Sequence, residues 1–227
     1  MNTLDQFLFG IYPYIALTIF LVGSLVRFER EQYTWKSDSS QLLHRGRLRL
    51  GNILFHVGVL GLFFGHLVGL LTPVAVWDML GVSHSLKQGA AMGAGGVMGG
   101  LCLAGLLILI HRRLTDPRIA ATTRPGDKLL LFWLLATLLL GLSTIWLSAG
   151  HMDGAVMLRL MSWAQRIVTL RGDAASHIAG VPVLFKAHLF MGMTLFVIFP
   201  FTRMVHVWSG FASLGYLGRA WQLVRPR

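Results

Sequence analysis

Cysteine and acidic side chains are scarce in this sequence of 227 residues, which has 1 Cys and 9 Asp or Glu against 20 Lys or Arg. The lone cysteine, Cys102, excludes an internal disulfide. It also excludes an iron–sulfur cluster held by this chain alone, since such clusters take several thiolates. Cys102 lies inside an apolar run and reads as a small buried hydrophobe. Charged residues of all kinds make up 13% of the chain and hydrophobic ones 55%, whereas a soluble domain carries about 25% charged residues. That balance excludes an ordinary soluble domain. The formal charge of +11 does not point to nucleic acid, because the basic residues sit between apolar runs rather than in one patch. Met1–Gln6 carries no basic residue, and the run after it lacks a small-residue cleavage pattern. The first apolar stretch is therefore expected to be a retained span.

Long apolar runs are what the sequence does have. A bilayer core about 30 Å thick is crossed by roughly 20 helical residues, and five segments reach that length: about Phe7–Val26, Ile53–Thr72, Gly89–Ile110, Leu129–Ala149 and Pro182–Phe201, the last expected to continue to Trp208. Backbone groups in lipid must bond internally, so these are helices. Of the 20 basic residues, fifteen fall on one side of the resulting topology. They are Arg27, Arg30, Lys36, Arg45, Arg47 and Arg49, then Arg112, Arg113, Arg118, Arg124 and Lys128, then Arg203, Arg219, Arg225 and Arg227. Lys87, Arg159, Arg166, Arg171 and Lys186 fall on the other. The positive-inside rule then sets the N-terminus outside and the C-terminus in the cytoplasm. The expected fold is an all-α integral membrane protein with five transmembrane helices, a single domain over residues 1–227.

Three other stretches carry information. Between Gly150 and Val181, the residues Val156, Leu160, Trp163, Ala164 and Ile167 recur at helical spacing, with Arg159 and Arg166 off that face. This predicts an amphipathic helix at the outer interface, placed to cover a site below it. The basic segment Arg27–Leu50 suits either lipid phosphates or a partner protein. In the third span, Gly95 with Gly99 and Gly96 with Gly100 form small-xxx-small pairs that let a neighbouring helix, or a flat cofactor, approach closely.

Nine histidines are present. His44, His84, His111, His151 and His177 fall in connections or at span ends and read as solvated polar residues. His56, His66, His188 and His206 are confined to the second and fifth spans, where ionisable side chains are costly and mark function. His56 and His66 lie about 15 Å apart along a helix, and His188 and His206 about 27 Å apart. The two spans run antiparallel, so His56 is level with His206 near the cytoplasmic face and His66 with His188 near the outer face. An imidazole from each of two helices suits the iron of a flat porphyrin, six-coordinate and fit for electron transfer. Zinc would need four converging ligands. Gly58, Gly61, Gly65, Gly69 and Gly192 are expected to leave room for the rings. Arg203 either pairs with a haem propionate or snorkels, and Pro200 should kink the fifth span before His206.

The runs Ile11-Tyr12-Pro13-Tyr14, Gln32-Tyr33-Thr34-Trp35, Asn52-Ile53-Leu54-Phe55-His56, Gly65-His66 and Leu71-Thr72-Pro73 resemble the gamma subunit family of membrane-bound respiratory nitrate reductases. So do His151-Met152-Asp153-Gly154, Trp163-Ala164-Gln165, His188, Gly192-Met193-Thr194, Phe199-Pro200-Phe201 and His206-Val207-Trp208-Ser209. The resemblance covers essentially the whole chain. It implies a di-haem cytochrome b of the bacterial inner membrane, with two haem b groups, that anchors a molybdenum alpha subunit and an iron–sulfur beta subunit on the cytoplasmic side. By position it implies that His66 and His188 hold the outer haem iron and that His56 and His206 hold the inner one. It further implies that quinol, menaquinol or ubiquinol, is oxidised near the outer face beside Lys87 and His66. Around Lys87 the sequence departs from the family pattern, with one extra residue after Pro73 and the stretch Gly81-Val82-Ser83-His84. A lysine there also suits the bilayer interface. Cytochromes b of heterodisulfide-reductase-like or sulfite-reduction complexes share the histidine scaffold, and a plain membrane anchor or transporter subunit would hold no haem. Nitrate chemistry itself is expected in the partner.

Overall fold

The computed structural model describes residues 2–35, 48–150 and 152–210. Lys36, His44, Arg45, Arg47, His151, Arg219, Arg225 and Arg227 lie outside the described residues. Among those described there are helices and turns and no strand. In chain order the helices are α1 (Thr3–Arg30), α2 (Leu48–Leu71), α3 (Val74–Met79), α4 (His84–Thr115), α5 (Pro117–Thr122), α6 (Pro125–Ala149), α7 (Ala155–Val168) and α8 (Val183–Ile198). Five of them, α1, α2, α4, α6 and α8 with its closing turn, are long and apolar enough to cross a membrane. This agrees with the expected fold.

The spans run past their apolar stretches because helical bonding continues until a cap ends it. Asn2 accepts from the Leu4 amide at 3.3 Å and starts α1 before Phe7. Ser83 accepts from the Leu86 amide at 3.2 Å and starts α4 five residues ahead of the expected Gly89. These side chains satisfy the orphan amides of the first turn.

The fifth span departs most from expectation. The sequence predicts helix over Pro182–Phe201 continuing to Trp208, with a kink at Pro200. Instead α8 stops at Ile198, two 3₁₀ turns follow at Phe199–Phe201 and Arg203–Val205, and extended Thr202 separates them with φ −121° and ψ 177°. Helix resumes at residues 206–210. Pro200 has no N–H for the carbonyl four residues back and its ring crowds that carbonyl, so the helix is broken, and regular helical spacing does not locate His206.

The spans pack in the order α1, α8, α6, α4, α2, with α2 against α4 the most extensive contact. Glycines make that crossing close. A Cβ on Gly58 would lie 2.4 Å from the Cys102 nitrogen, and one on Gly105 would lie 2.3 Å from the Phe55 nitrogen. The expected small-residue pairs play less part, since Gly95 and Gly100 face open space while Gly99 receives Leu142 of α6. Extensive packing of α2 on α8 or α1 is missing from this order, which leaves a cleft between the two histidine-bearing helices.

One end of the cleft is roofed. The predicted amphipathic helix is α7, with Trp163, Ala164 and Ile167 buried as expected and Met161 wholly buried beside them. Val156 and Leu160 are half-buried against the same cluster. Phe9, Trp163, Ile167, Ala174, Ile178 and Phe185 form the main core here. Burial at a water-facing end gains the full hydrophobic term, whereas between spans lipid is as apolar as leucine. The roof is also bonded. Pro13 cannot donate to the Phe9 carbonyl, the chain widens into a π turn over Phe7–Ile11, and Trp163 Nε1 donates to that carbonyl at 2.8 Å. Gln165 Nε2 donates to the carbonyls of Leu70 and Thr72, both at 3.1 Å, where α2 runs out. Thus α7 bridges α1 and α2, which share no extensive packing of their own.

Candidate functional site

Two histidine pairs span the cleft. The rings of His66 and His188 have centres 6.1 Å apart at the roofed end, and those of His56 and His206 have centres 6.4 Å apart at the other. These are the pairs expected from the topology. The break after Ile198 does not prevent the second one, because the two 3₁₀ turns carry the chain on to place His206 on His56.

Each of the four rings is oriented by a backbone carbonyl. His56 Nδ1 donates to Asn52 O at 2.8 Å and His66 Nδ1 to Leu62 O at 2.7 Å, each within α2. His206 Nδ1 donates to Arg203 O at 2.6 Å. His188 Nδ1 donates to Thr137 O of α6 at 3.0 Å. A carbonyl only accepts, so Nδ1 carries the proton and Nε2 is left with its lone pair, the arrangement of a metal-bound histidine. An imidazole nitrogen sits about 2 Å from its metal, which places two rings on opposite sides of one ion with centres roughly 6 Å apart. Both pairs meet that spacing. Among the described residues no three His, Cys, Asp or Glu converge as a bare-ion cage would need. The pairs therefore fit a flat group bound through one axial nitrogen on each side.

The glycines divide. Gly65, Gly69 and Gly192 have nothing within 4 Å of where a Cβ would stand, so room remains beside His66 and His188. Gly58 and Gly61, expected to serve the same end, face Cys102 and Met98 of α4 instead. A glycine that sequence reasoning missed is Gly141. A Cβ there would lie 2.8 Å from His188 Cε1, one turn along α6 from Thr137, so this helix face seats the ring. Thr137 and Gly141 lie in a uniformly apolar span, and nothing in its pattern marks them.

Lys87 enters the roofed end from the first turn of α4. It is 7% exposed. Its Nζ donates to Gly69 O at 3.2 Å, lies 2.7 Å from Met161 Sδ, and stands 4.7 Å over the Trp77 ring. Gly69 is three residues beyond His66, and its carbonyl is one that Pro73 cannot satisfy. Trp77 Nε1 is buried with no hydrogen-bond partner. Lys87 thus points inward, away from the snorkelling posture of an interface lysine. Trp77 and Met161 surround it, and neither was anticipated.

Arg203 is engaged. Its Nε donates to Asp127 Oδ1 at 2.8 Å and its Nη2 to Asp127 Oδ2, and Arg113 Nη1 approaches the same carboxylate at 3.8 Å. The guanidinium expected to snorkel or to meet a propionate already has this carboxylate partner. Of the five histidines given no role, His84 lies 3.6 Å from Asp78, while His111 and His177 stand at the end of α4 and in the Ala174–Ile178 turn.

Comparison with known proteins agrees with this architecture. The family described as nitrate reductase gamma subunit matches residues 5–227. Respiratory nitrate reductase 1 gamma chain of Escherichia coli is 48% identical over all of both chains. Nitrate reductase gamma chain of Bacillus subtilis is 40% identical over 98% of each. Five apolar spans and relatives of this kind make the chain a multi-pass protein of the bacterial inner membrane. The chain belongs to the nitrate reductase gamma subunit family, as a membrane subunit of the respiratory enzyme.

Proposed function

We propose that the chain oxidises quinol at its roofed end and conducts the electrons through two haem b groups to an iron–sulfur beta subunit on the cytoplasmic side. Nitrate would then be reduced at the molybdenum of an alpha subunit. In this reading the roofed end is the outer one, the N-terminus is outside and the C-terminus cytoplasmic. His66 and His188 hold the outer iron, and His56 and His206 hold the inner one. When bound, the haems would supply iron that accepts and releases single electrons. The observation that carries this reading is the pair of ring separations, 6.1 and 6.4 Å, with Nδ1 on a carbonyl in all four rings.

The chain's own residues account for the rest. The Nδ1 bonds fix each ring and leave Nε2 directed into the cleft. Lys87 Nζ can exchange its bond to Gly69 O for one to a quinol oxygen, either menaquinol or ubiquinol, beside His66. The roof helix α7 covers that position, and in this reading the two quinol protons leave on the outer side. The test is a redox titration of the haem spectra in wild type and the four single-histidine variants. Replacing His56 or His206 should remove one b-type component and leave the other largely bound, and replacing His66 or His188 should do the reverse. Loss of both components with every variant would overturn the paired assignment. Lys87→Ala should slow quinol-dependent haem reduction without removing haem, and undiminished reduction would dismiss Lys87 from the quinol site.

A further inference from the structure

The break that presents His206 is gripped by one face of α1. Phe20, Gly23 and Arg27 stand at helical spacing on that face, and all three meet the chain between Phe196 and Trp208. Phe20 packs edge-on against Phe196 and Phe199 and stacks on Trp208, with ring centres 5.1, 4.7 and 5.2 Å away. Gly23 admits Pro200, whose Cγ would lie 2.8 Å from a Cβ there. Arg27 Nη1 donates to Pro200 O and to Thr202 O, both at 2.7 Å. Its other nitrogens hold Thr34, Nη2 on the carbonyl at 2.9 Å and Nε on Oγ1 at 3.3 Å. Beyond Thr34, Trp35 Nε1 donates to Ser209 Oγ at 2.8 Å. Thr34 and Trp35, which the quinol chemistry leaves unused, thus link Arg27 of α1 to the helical turn that follows the break.

We infer that Arg27 is a positioning residue for His206: its guanidinium replaces the helical donors lost at the break and so sets the axial ring opposite His56. The carbonyls of Pro200 and Thr202 flank the bend, and a broken helix must find donors for such groups. A planar fork with five N–H groups reaches both carbonyls and Thr34 together. A lysine ammonium, with three donors on one point, does not. The inference rests on the haem assignment proposed above.

The test uses the intact complex carrying Arg27→Leu, Arg27→Lys or Gly23→Ala, read by two methods. Hydrogen exchange reports the break whether or not haem is bound, and spectra with redox titration report each haem. Arg27→Leu should speed exchange over residues 201–206 by about tenfold or more, as expected for a lost charged hydrogen bond. The signal of the His56–His206 haem should shift while that of His66–His188 stays at its wild-type position. Arg27→Lys should recover only part of both effects. If Arg27→Leu does not assemble, Gly23→Ala keeps the charge, pushes Pro200 from α1 and should shift the same haem alone. Unchanged exchange, or equal shifts of both haems, would overturn the role of Arg27. A wild-type complex without two reducible b-type components would refute the cytochrome reading itself, whatever the exchange shows.

Discussion

The two ends of the cleft seat similar histidine pairs by different means. At the roofed end His66 and His188 stand on unbroken helices, and the surrounding ties are an indole, an amide and an amine donating to carbonyls that prolines or helix ends have freed. A core around Trp163 and Phe9 backs them. At the other end the backbone itself is broken, and guanidinium groups hold it: Arg27 on Pro200 and Thr202, with Arg203 and Arg113 on Asp127. The difference follows from where the chain is continuous. An intact helix delivers a ring once it is packed, so apolar burial suffices. A broken one exposes carbonyls inside the protein, each of which needs a donor, and arginine supplies several at once.

The widest disruption should come from the most extensive contact that both ends share. Every histidine on α2 depends on its crossing with α4, where the atoms facing Gly58 are backbone and cannot rotate away. Gly58→Val should cost more than the roughly 1–3 kcal/mol of ordinary overpacking and strip both of the proposed haems, measured as haem per purified complex. Retention of either would show that the two ends are not built on a common α2–α4 frame.

Trp163→Ala should separate the ends. Its indole is 3% exposed and donates to Phe9 O, and truncating a buried tryptophan costs about 3–5 kcal/mol. Exchange should rise across α7 and at the end of α2, quinol-dependent reduction should fall, and the spectrum of the His56–His206 haem should stay put. A change at both haems would mean that the roof supports the whole bundle.

How far the sequence foretold this molecule follows the same division. The five spans, the stripe on α7 and the two histidine pairs were legible because periodicity and length are local properties and antiparallel order is simple. What was hidden depends on partners distant in the chain. Arg27 and Pro200 are 173 residues apart. Gly141 looks like any small residue of an apolar span until His188 is set against it. The sequence leaves Arg203 either snorkelling or meeting a propionate, and nothing near it announces its Asp127 contact. Pro200 signalled a bend, but the extent of the break depends on the donors that α1 offers to its carbonyls.

Asp127→Asn tests the charged end more narrowly. The carboxylate is 13% exposed and holds Arg203, whose carbonyl orients His206. Losing a charged hydrogen bond of this kind costs about 1.5–3 kcal/mol. The expected result is a lower melting temperature of the complex and a shifted potential for the His56–His206 haem alone. An unaltered potential would leave Arg27 as the principal support of that segment.

The smallest effect belongs to the roof's surface. Arg166 pairs with Asp173 in the turn after α7. That hydrogen bond first, helped by the charges of Arg166 and His177, holds the Asp173 carboxyl below its ordinary value although desolvation opposes it. A carboxylate depressed in the folded state stabilises it at neutral pH, and the gain disappears as pH falls through its unfolded value, about 3.9, to the lower folded one. Wild type should therefore melt slightly above Asp173→Asn at neutral pH, with the gap closing only below about pH 4. Because this pair is exposed, the gap should also shrink with added salt. The Asp127 cluster, largely shielded from water, should respond to salt much less. Equal salt sensitivity at Asp173 and Asp127 would mean that solvent reaches the broken end as freely as the roof's outer surface, and the contrast between a packed end and a charge-held end would lose its physical basis.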